Sequence, residues 1–140
     1  MHKGKSINGR EFFDLLFESD EFNTELGKIT LAAGKLEAEL KMYFTRTEVK
    51  EKVSQSTLGQ LIKIGKKHDL LDSNLATALE MTCKQRNYLI HNIYALLIDL
   101  KAETILERNN LIDSDVHTYL ERAWQLKTNL IELAEVISIK

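Results

Sequence analysis

The stretch from residue 21 to residue 44, EFNTELGKITLAAGKLEAELKMYF, has the most regular hydrophobic pattern in the chain. Its apolar side chains recur at alternating spacings of four and three residues, which places them in one stripe along an α-helix. The pattern therefore predicts a long amphipathic helix with one buried face. The stripe consists of Phe22, Leu26, Ile29, Ala33, Leu36, Leu40 and Tyr43.

Two glycines, Gly27 and Gly34, lie on a different strip of the same helix. Glycine inside a helix costs about 1 kcal/mol relative to alanine. Close approach of a neighbouring helix would explain both positions, and simple tolerance of glycine explains them equally well.

The same reasoning predicts further helices on both sides of this stretch. A short one covers residues 6–19, another covers 57–67, and a long one runs from about 74 to about 100. The last helix is predicted to be capped by Asp113 or Ser114, and its stripe is Tyr119, Ala123, Leu126, Leu130, Leu133 and Ile137.

The connections between these helices are polar. Residues 45–56 are predicted to form a loop or a frayed helix end. The turn HDLLDSN contains Asp72 or Ser73 as the N-cap of the next helix. Asn109 and Asn110 are predicted to stop the long helix before the last one begins. Proline is absent and no segment alternates with period two. The sequence therefore predicts an all-α, up-down bundle of four to five helices, forming a single domain over residues 1–140.

Composition limits the classes of function. The net charge is −2, yet residues 41–91 hold nine Lys and Arg against five Asp and Glu, a local excess of +4. Cys83 is the only cysteine, so no disulfide forms within the chain. The basic N-terminus lacks the apolar stretch of a signal peptide, and the longest apolar run is too short to span a bilayer. We therefore expect a cytoplasmic protein without a membrane partner.

One predicted helix carries an unusual polar group, in KQRNYLIHNIY, residues 84–94. Arg86 occupies a position where the four-and-three spacing of this helix predicts an apolar residue, and His91 lies among aliphatic residues. In a regular α-helix Asn87 and His91 are about 40° apart and share a face, whereas Arg86 and His91 are about 140° apart. A second helix or a second subunit is then needed to complete a shared site. Burying such groups unpaired would cost about 1–3 kcal/mol each, which also favours a homodimer.

These residue types suit phosphate chemistry. Arginine offers a planar fork that matches a phosphate, and histidine transfers protons near neutral pH. Together they are sufficient to promote attack by a ribose 2′-hydroxyl without a metal. The alternative is that His91 is a hydrogen-bonded core residue, which is the more common role of a lone histidine on an apolar helix. The four histidines lack metal-ligand spacing, so no metal or other cofactor is predicted.

The segment RNYLIH, residues 86–91, resembles the hallmark of the HEPN superfamily (higher eukaryotes and prokaryotes nucleotide-binding domains). That hallmark is an arginine, commonly followed by a polar residue such as asparagine, and then a histidine, in a late helix of a small helical domain. The resemblance implies a metal-independent endoribonuclease that acts as a toxin or in anti-phage defence. It also implies an active site between two protomers, in which Arg86 polarises the phosphate, Asn87 is the polar motif residue and His91 is the acid and base.

The resemblance also suggests a protein partner. Some toxin members carry a tyrosine two residues after the histidine, and a nucleotidyltransferase antitoxin modifies it. Here that position is Ile93, and the tyrosine is Tyr94. An antitoxin protein is therefore a candidate partner, but the modified tyrosine does not align.

Basic residues around the motif are candidates for RNA binding. KIGKKH, residues 63–68, supplies Lys63, Lys66 and Lys67, and the motif is flanked by Lys84 and Tyr94. A solvated helix end explains the lysines of KIGKKH as well. Two other functions fit the same residues. One is a non-catalytic regulatory or nucleotide- and RNA-binding module, such as a transcription-regulating helical protein, and the other is a helical scaffold whose polar residues fix helix packing.

Overall fold

A computed structural model describes residues 6–94 and 113–140. Within these ranges the chain is helical, without a strand, and its helices pack around a common core. The predicted all-α bundle is therefore confirmed. The α-helices are α1 (Gly9–Glu18), α2 (Asp20–Thr45), α3 (Leu58–Lys67), α4 (Ser73–Asn87) and α5 (Val116–Ser138).

The core is built mainly between α2 and α5, the most extensive helix pair in the described ranges. Most of the stripe predicted from residues 21–44 is buried, and only Leu26 and Tyr43 are half-exposed. The facing stripe of α5 is buried in the same way apart from Leu133. Each fully buried large apolar side chain contributes about 1.5–3 kcal/mol, so this contact dominates the stability of the bundle.

Polar side chains fix where the helices begin. Asn8 and Glu11 form a capping box at α1, and Thr57 and Gln60 form another at α3. The predicted cap of α4 is confirmed as Asp72, whose Oδ1 accepts a hydrogen bond from the backbone N–H of Leu75 at 2.8 Å.

The predicted cap of the last helix is wrong. Residues Asp113–Asp115 form a 3₁₀ turn, and α5 begins only at Val116. The residue at the N-cap position is Asp115, which makes no side-chain capping bond. The tighter turn places Asp113 and Ser114 ahead of the first α-helical residue, so neither occupies the N-cap position.

The connections agree with the polar segments of the sequence. The predicted loop is confirmed, because residues 46–57 between α2 and α3 contain only turns and bends. This loop is fastened to the end of α3 by Glu51, whose Oε2 lies 2.6 Å from His68 Nε2. The hydrogen bond from His68, with a smaller contribution from Lys67, holds the pKa of Glu51 below its usual value. The predicted stop at Asn109 and Asn110 lies outside the described residues.

The helical glycines divide into two kinds. Gly27 and Gly34 are exposed, and a Cβ built on either would meet no atom within 4 Å in the described structure. The close-packing explanation for these two glycines is therefore wrong, and tolerance is sufficient. Close packing occurs instead at Gly65, where a Cβ would lie 2.5 Å from Leu71 Cδ1 and 3.0 Å from Phe44 Cζ.

We expect Gly65→Ala to lower the free energy of unfolding by up to about 2 kcal/mol. Overpacking costs about 1–3 kcal/mol, and only about 1 kcal/mol is returned by the better helix propensity of alanine. Gly34→Ala is the matched control, since the same propensity gain there meets open space. Urea denaturation should show that the change in the free energy of unfolding has opposite signs in the two variants. Equal stabilisation by the two substitutions would mean that the Leu71 side chain moves aside without a loss of free energy, which would contradict the prediction.

The helix that carries the motif departs from the prediction. A continuous helix was expected from about residue 74 to about 100, but α4 ends at Asn87 and a π-helical turn, Tyr88–Asn92, follows it. Residues 93 and 94 are again α-helical, and the remainder of the predicted helix lies outside the described residues. None of the helices within 6–94 and 113–140 combines the length and apolar character needed to cross a bilayer.

Candidate functional site

The motif spans the junction between α4 and the π turn. Arg86 and Asn87 close α4, and His91 lies inside the turn. A π turn closes i→i+5 hydrogen bonds, so residues five apart come closer to one face than they do in an α-helix. The predicted offset of about 140° between Arg86 and His91 holds for a regular α-helix, and the π turn between them departs from that geometry. Such turns frequently mark functional sites in helices.

The Arg86 side chain is half-buried and oriented by its neighbour. Its Nε and Nη2 donate to Asn87 Oδ1 at 3.2 and 2.9 Å. The asparagine thus holds one edge of the guanidinium fork. The remaining N–H groups of the fork make no hydrogen bond within the described part of the chain, so they are available to an oxyanion.

His91 lies on the surface. Its side chain is exposed, whereas Leu89 and Ile93 on either side of it are buried. The alternative of a core histidine is therefore wrong, because the turn directs the imidazole outwards and the aliphatic side chains inwards. The energetic argument for a dimer also fails, since His91 is solvated and Arg86 is paired with Asn87.

A tyrosine pair ties the π turn to the core. The hydroxyls of Tyr88 and Tyr119 are 2.6 Å apart, and their rings stack with centroids separated by 6.4 Å. Tyr119 is fully buried and meets Phe12 edge-on at 5.2 Å. The motif is thus held against α5 and α1. The sequence places Tyr119 on the α5 stripe, but no local pattern reveals its partner on another helix.

A cavity of about 950 Å³ opens between α3, α4 and α5, and we call it the basic groove. Its described lining includes four cationic side chains and one carboxylate, Glu80, a formal charge of +3. Asn87 also lines it, so the groove adjoins the residue that holds Arg86. The four cations are Lys63 and Lys66 from α3, Lys84 from α4 and Arg122 from α5.

Three of the candidate RNA-binding residues, Lys63, Lys66 and Lys84, therefore meet in one place. The other two do not. Lys67 extends towards Glu51, with its Nζ 3.5 Å from Oε1. Tyr94 packs edge-on against Phe13 of α1, with ring centroids 4.6 Å apart, and is not part of the groove lining.

Sequence reasoning missed Arg122. It is exposed on α5, one turn before the buried Leu126, and lies far along the chain from the motif. The only sequence signal for Arg122 is its position beside the predicted apolar stripe of α5. A residue at the edge of a buried stripe lies next to the helix that packs against that stripe.

The opposite side of α5 carries negative charge. A shallower cavity of about 510 Å³ lies between α2 and α5, and we call it the acidic pocket. Its Glu25 is paired with Lys127, whose Nζ lies 3.0 Å from Oε2 and 5.7 Å from the Trp124 ring centroid. The acidic side chains lining the pocket are Asp20, Glu21, Glu25 and Glu121.

No group of three His, Cys, Asp or Glu side chains that could hold a metal ion occurs within residues 6–94 and 113–140. Comparison with protein-family models, with curated proteins and with solved structures finds no match for the chain. Function is therefore assigned from the chemistry of the motif and the groove.

Proposed function

We propose that this protein is a metal-independent endoribonuclease of HEPN type that acts as a homodimer. Arg86 and His91 are its catalytic residues, and its role is that of a toxin or an anti-phage defence component in the cytoplasm. The observation that carries the proposal is an exposed imidazole on a π turn, five residues after a guanidinium that is held by Asn87, a residue of the basic groove lining.

The chemistry needs only these groups and an RNA strand. The His91 imidazole removes the proton of a ribose 2′-hydroxyl, and the oxygen attacks the adjacent phosphorus. A 2′,3′-cyclic phosphate forms as the bond to the 5′-oxygen breaks, and the imidazolium returns a proton to that oxygen. The Arg86 fork stabilises the negative charge that develops on the phosphoryl oxygens.

The homodimer and the antitoxin partner belong to the proposal through the resemblance of RNYLIH to the HEPN hallmark. The exposure of His91 leaves its imidazole accessible to a second protomer, but it gives no energetic reason for one. In that arrangement two copies of the motif face each other across a two-fold axis.

The second candidate is a non-catalytic module of the same fold that binds RNA or nucleotides. The basic groove favours it, because its cations attract phosphates whether or not a bond is cut. The two functions differ in one observable, since only the first releases RNA fragments.

The test is cleavage of single-stranded RNA by the purified protein in the presence of EDTA. We expect fragments that end in 2′,3′-cyclic phosphate, and no cleavage of DNA or of a 2′-O-methyl linkage at the same site. These substrates lack the attacking hydroxyl, so cleavage of either one would show that the bond is broken by a different mechanism or by a contaminating nuclease. Activity that disappears on chelation and returns with Mg²⁺ would contradict the proposal, and binding without cleavage of any RNA in vitro or in cells would favour the module.

A further inference from the structure

The basic groove has an apolar floor beneath its cationic rim. The floor includes Ile62, Leu89 and Leu126, which belong to the buried core and have exposed fractions of only 3%, 3% and 1%. Met81, on the wall, is 60% exposed. Large exposed methionines provide adaptable contacts to flat ligands. The groove thus combines an apolar surface with charged groups at its edge, which a plain phosphate-binding patch does not require.

The volume of the basic groove is that of a small-molecule binding site. Small-molecule sites usually enclose about 300–1,000 Å³ and are mostly apolar, with a few polar groups that fix orientation. The groove, at about 950 Å³, lies at the upper end of that range. Amide side chains that could contact the polar edge of a ligand are also present, at Gln85 and Asn87.

The rim cations are available to an anion. Lys66 is paired with Glu80 at 3.2 Å, but Lys63, Lys84 and Arg122 make no hydrogen bond or ion pair within the described part of the chain. They come from three different helices and line the same cavity, although the chain as a whole is negatively charged. Three unpaired cations around an apolar floor are complementary to a flat apolar group joined to phosphate.

We infer that the basic groove is a subsite for one unpaired nucleotide of an RNA strand. The base packs against Met81 and the half-buried Tyr88 above this buried floor, and its flanking phosphates contact Lys63, Lys84 and Arg122. The inference rests on the proposed function in one respect, namely that the strand cut at Arg86 and His91 continues past Asn87 into the groove.

A requirement for single-stranded substrate follows from this arrangement. A base in a duplex is stacked and paired, so it cannot reach an apolar floor without first leaving the helix. An unstacked base in a loop or a single strand reaches it without that cost. A free nucleotide offers the same chemistry, so the strand and the mononucleotide must be distinguished by experiment.

The experiment measures RNA binding by fluorescence anisotropy in a His91→Ala background, which prevents cleavage during the titration. A labelled single strand, the corresponding duplex and free AMP as competitor are compared. Arg122→Glu should weaken binding of the single strand by about tenfold or more, because it removes a charged phosphate contact and adds repulsion. Lys35→Glu on α2 makes the corresponding charge change outside the groove and should have a much smaller effect.

A second variant, Lys63→Glu, places the same change on α3 and guards against misfolding of Arg122→Glu. We expect it to weaken binding similarly, with the duplex and AMP both bound more weakly than the single strand. Equal effects of Arg122→Glu, Lys63→Glu and Lys35→Glu would overturn the groove subsite, and the proposed ribonuclease would stand if the wild type still cuts RNA. AMP that competes as well as the strand would overturn an RNA subsite in favour of a free nucleotide. Loss of binding in the groove variants of a protein that cuts no RNA would support the subsite and overturn the ribonuclease.

Discussion

His91→Ala and Arg86→Ala should each lower the rate of RNA cleavage by a factor of about 10²–10⁴, the usual loss when a positioned acid–base group or oxyanion stabiliser is removed. In the proposed mechanism the first variant removes the proton carrier, and the second removes the fork that stabilises charge on the phosphate. Initial rates on a single-stranded substrate under single-turnover conditions measure both effects.

The structure predicts how these variants differ in stability. His91 is exposed, so His91→Ala should melt within a few degrees of the wild type. Arg86 is half-buried and bonded to Asn87, so Arg86→Lys is the better control, because it keeps the charge and most of the packing but not the fork. Wild-type rates in His91→Ala would contradict the catalytic assignment, whereas a collapse of its melting temperature would return the histidine to a structural role.

Mixing the two inactive variants should restore activity if the site is shared between protomers. A heterodimer of Arg86→Ala and His91→Ala holds one intact pair, with the arginine from one chain and the histidine from the other. Random exchange of equal amounts would then recover about one quarter of the wild-type rate, far above that of either variant alone. The measurement is the cleavage rate after the variants are unfolded and refolded together.

The control is the double variant mixed with itself, which contains no intact pair. Recovery would support the composite site implied by the resemblance. No recovery from a mixture that light scattering shows to be dimeric would mean that Arg86 and His91 act within one chain. The π turn makes this outcome geometrically reasonable, because it brings residues five apart closer to one face.

Much of the fold could be predicted because it depends on repeated local chemistry. The spacing of Phe22, Ile29 and Leu36 identifies the buried face of α2 without knowledge of its partner, and Asp72 caps α4 through a bond to a residue three positions away. The π turn could not be predicted in this way. A π turn has a different period from an α-helix, and the apolar residues Leu89 and Ile93 fit the α-helical pattern as well.

The candidate site was predicted only where its residues are close in sequence. Lys63 and Lys66 share one helix face with the right spacing, and Arg86 is adjacent to the asparagine that orients it. Arg122 and the Tyr88–Tyr119 pair arise from helices that meet only in the folded chain. The exposure of His91 agrees with the catalytic interpretation, but the sequence left the core alternative open, because the neighbours of His91 are apolar and composition does not show which way a side chain points.

The separation of charge across α5 has a consequence for how the protein meets a polyanion. Arg122 and Glu121 are adjacent in sequence but line cavities on different sides of the helix, one basic and one acidic. Charge is therefore separated across α5 in the described part of the chain, although the net charge of −2 would by itself repel RNA. In the electric field of an RNA strand the protein would rotate so that the basic groove faces the strand and the acidic pocket faces away. At low ionic strength a larger fraction of collisions would then be productive. Salt would then slow association more than it speeds dissociation, a kinetic property set by the arrangement of charges rather than by their sum.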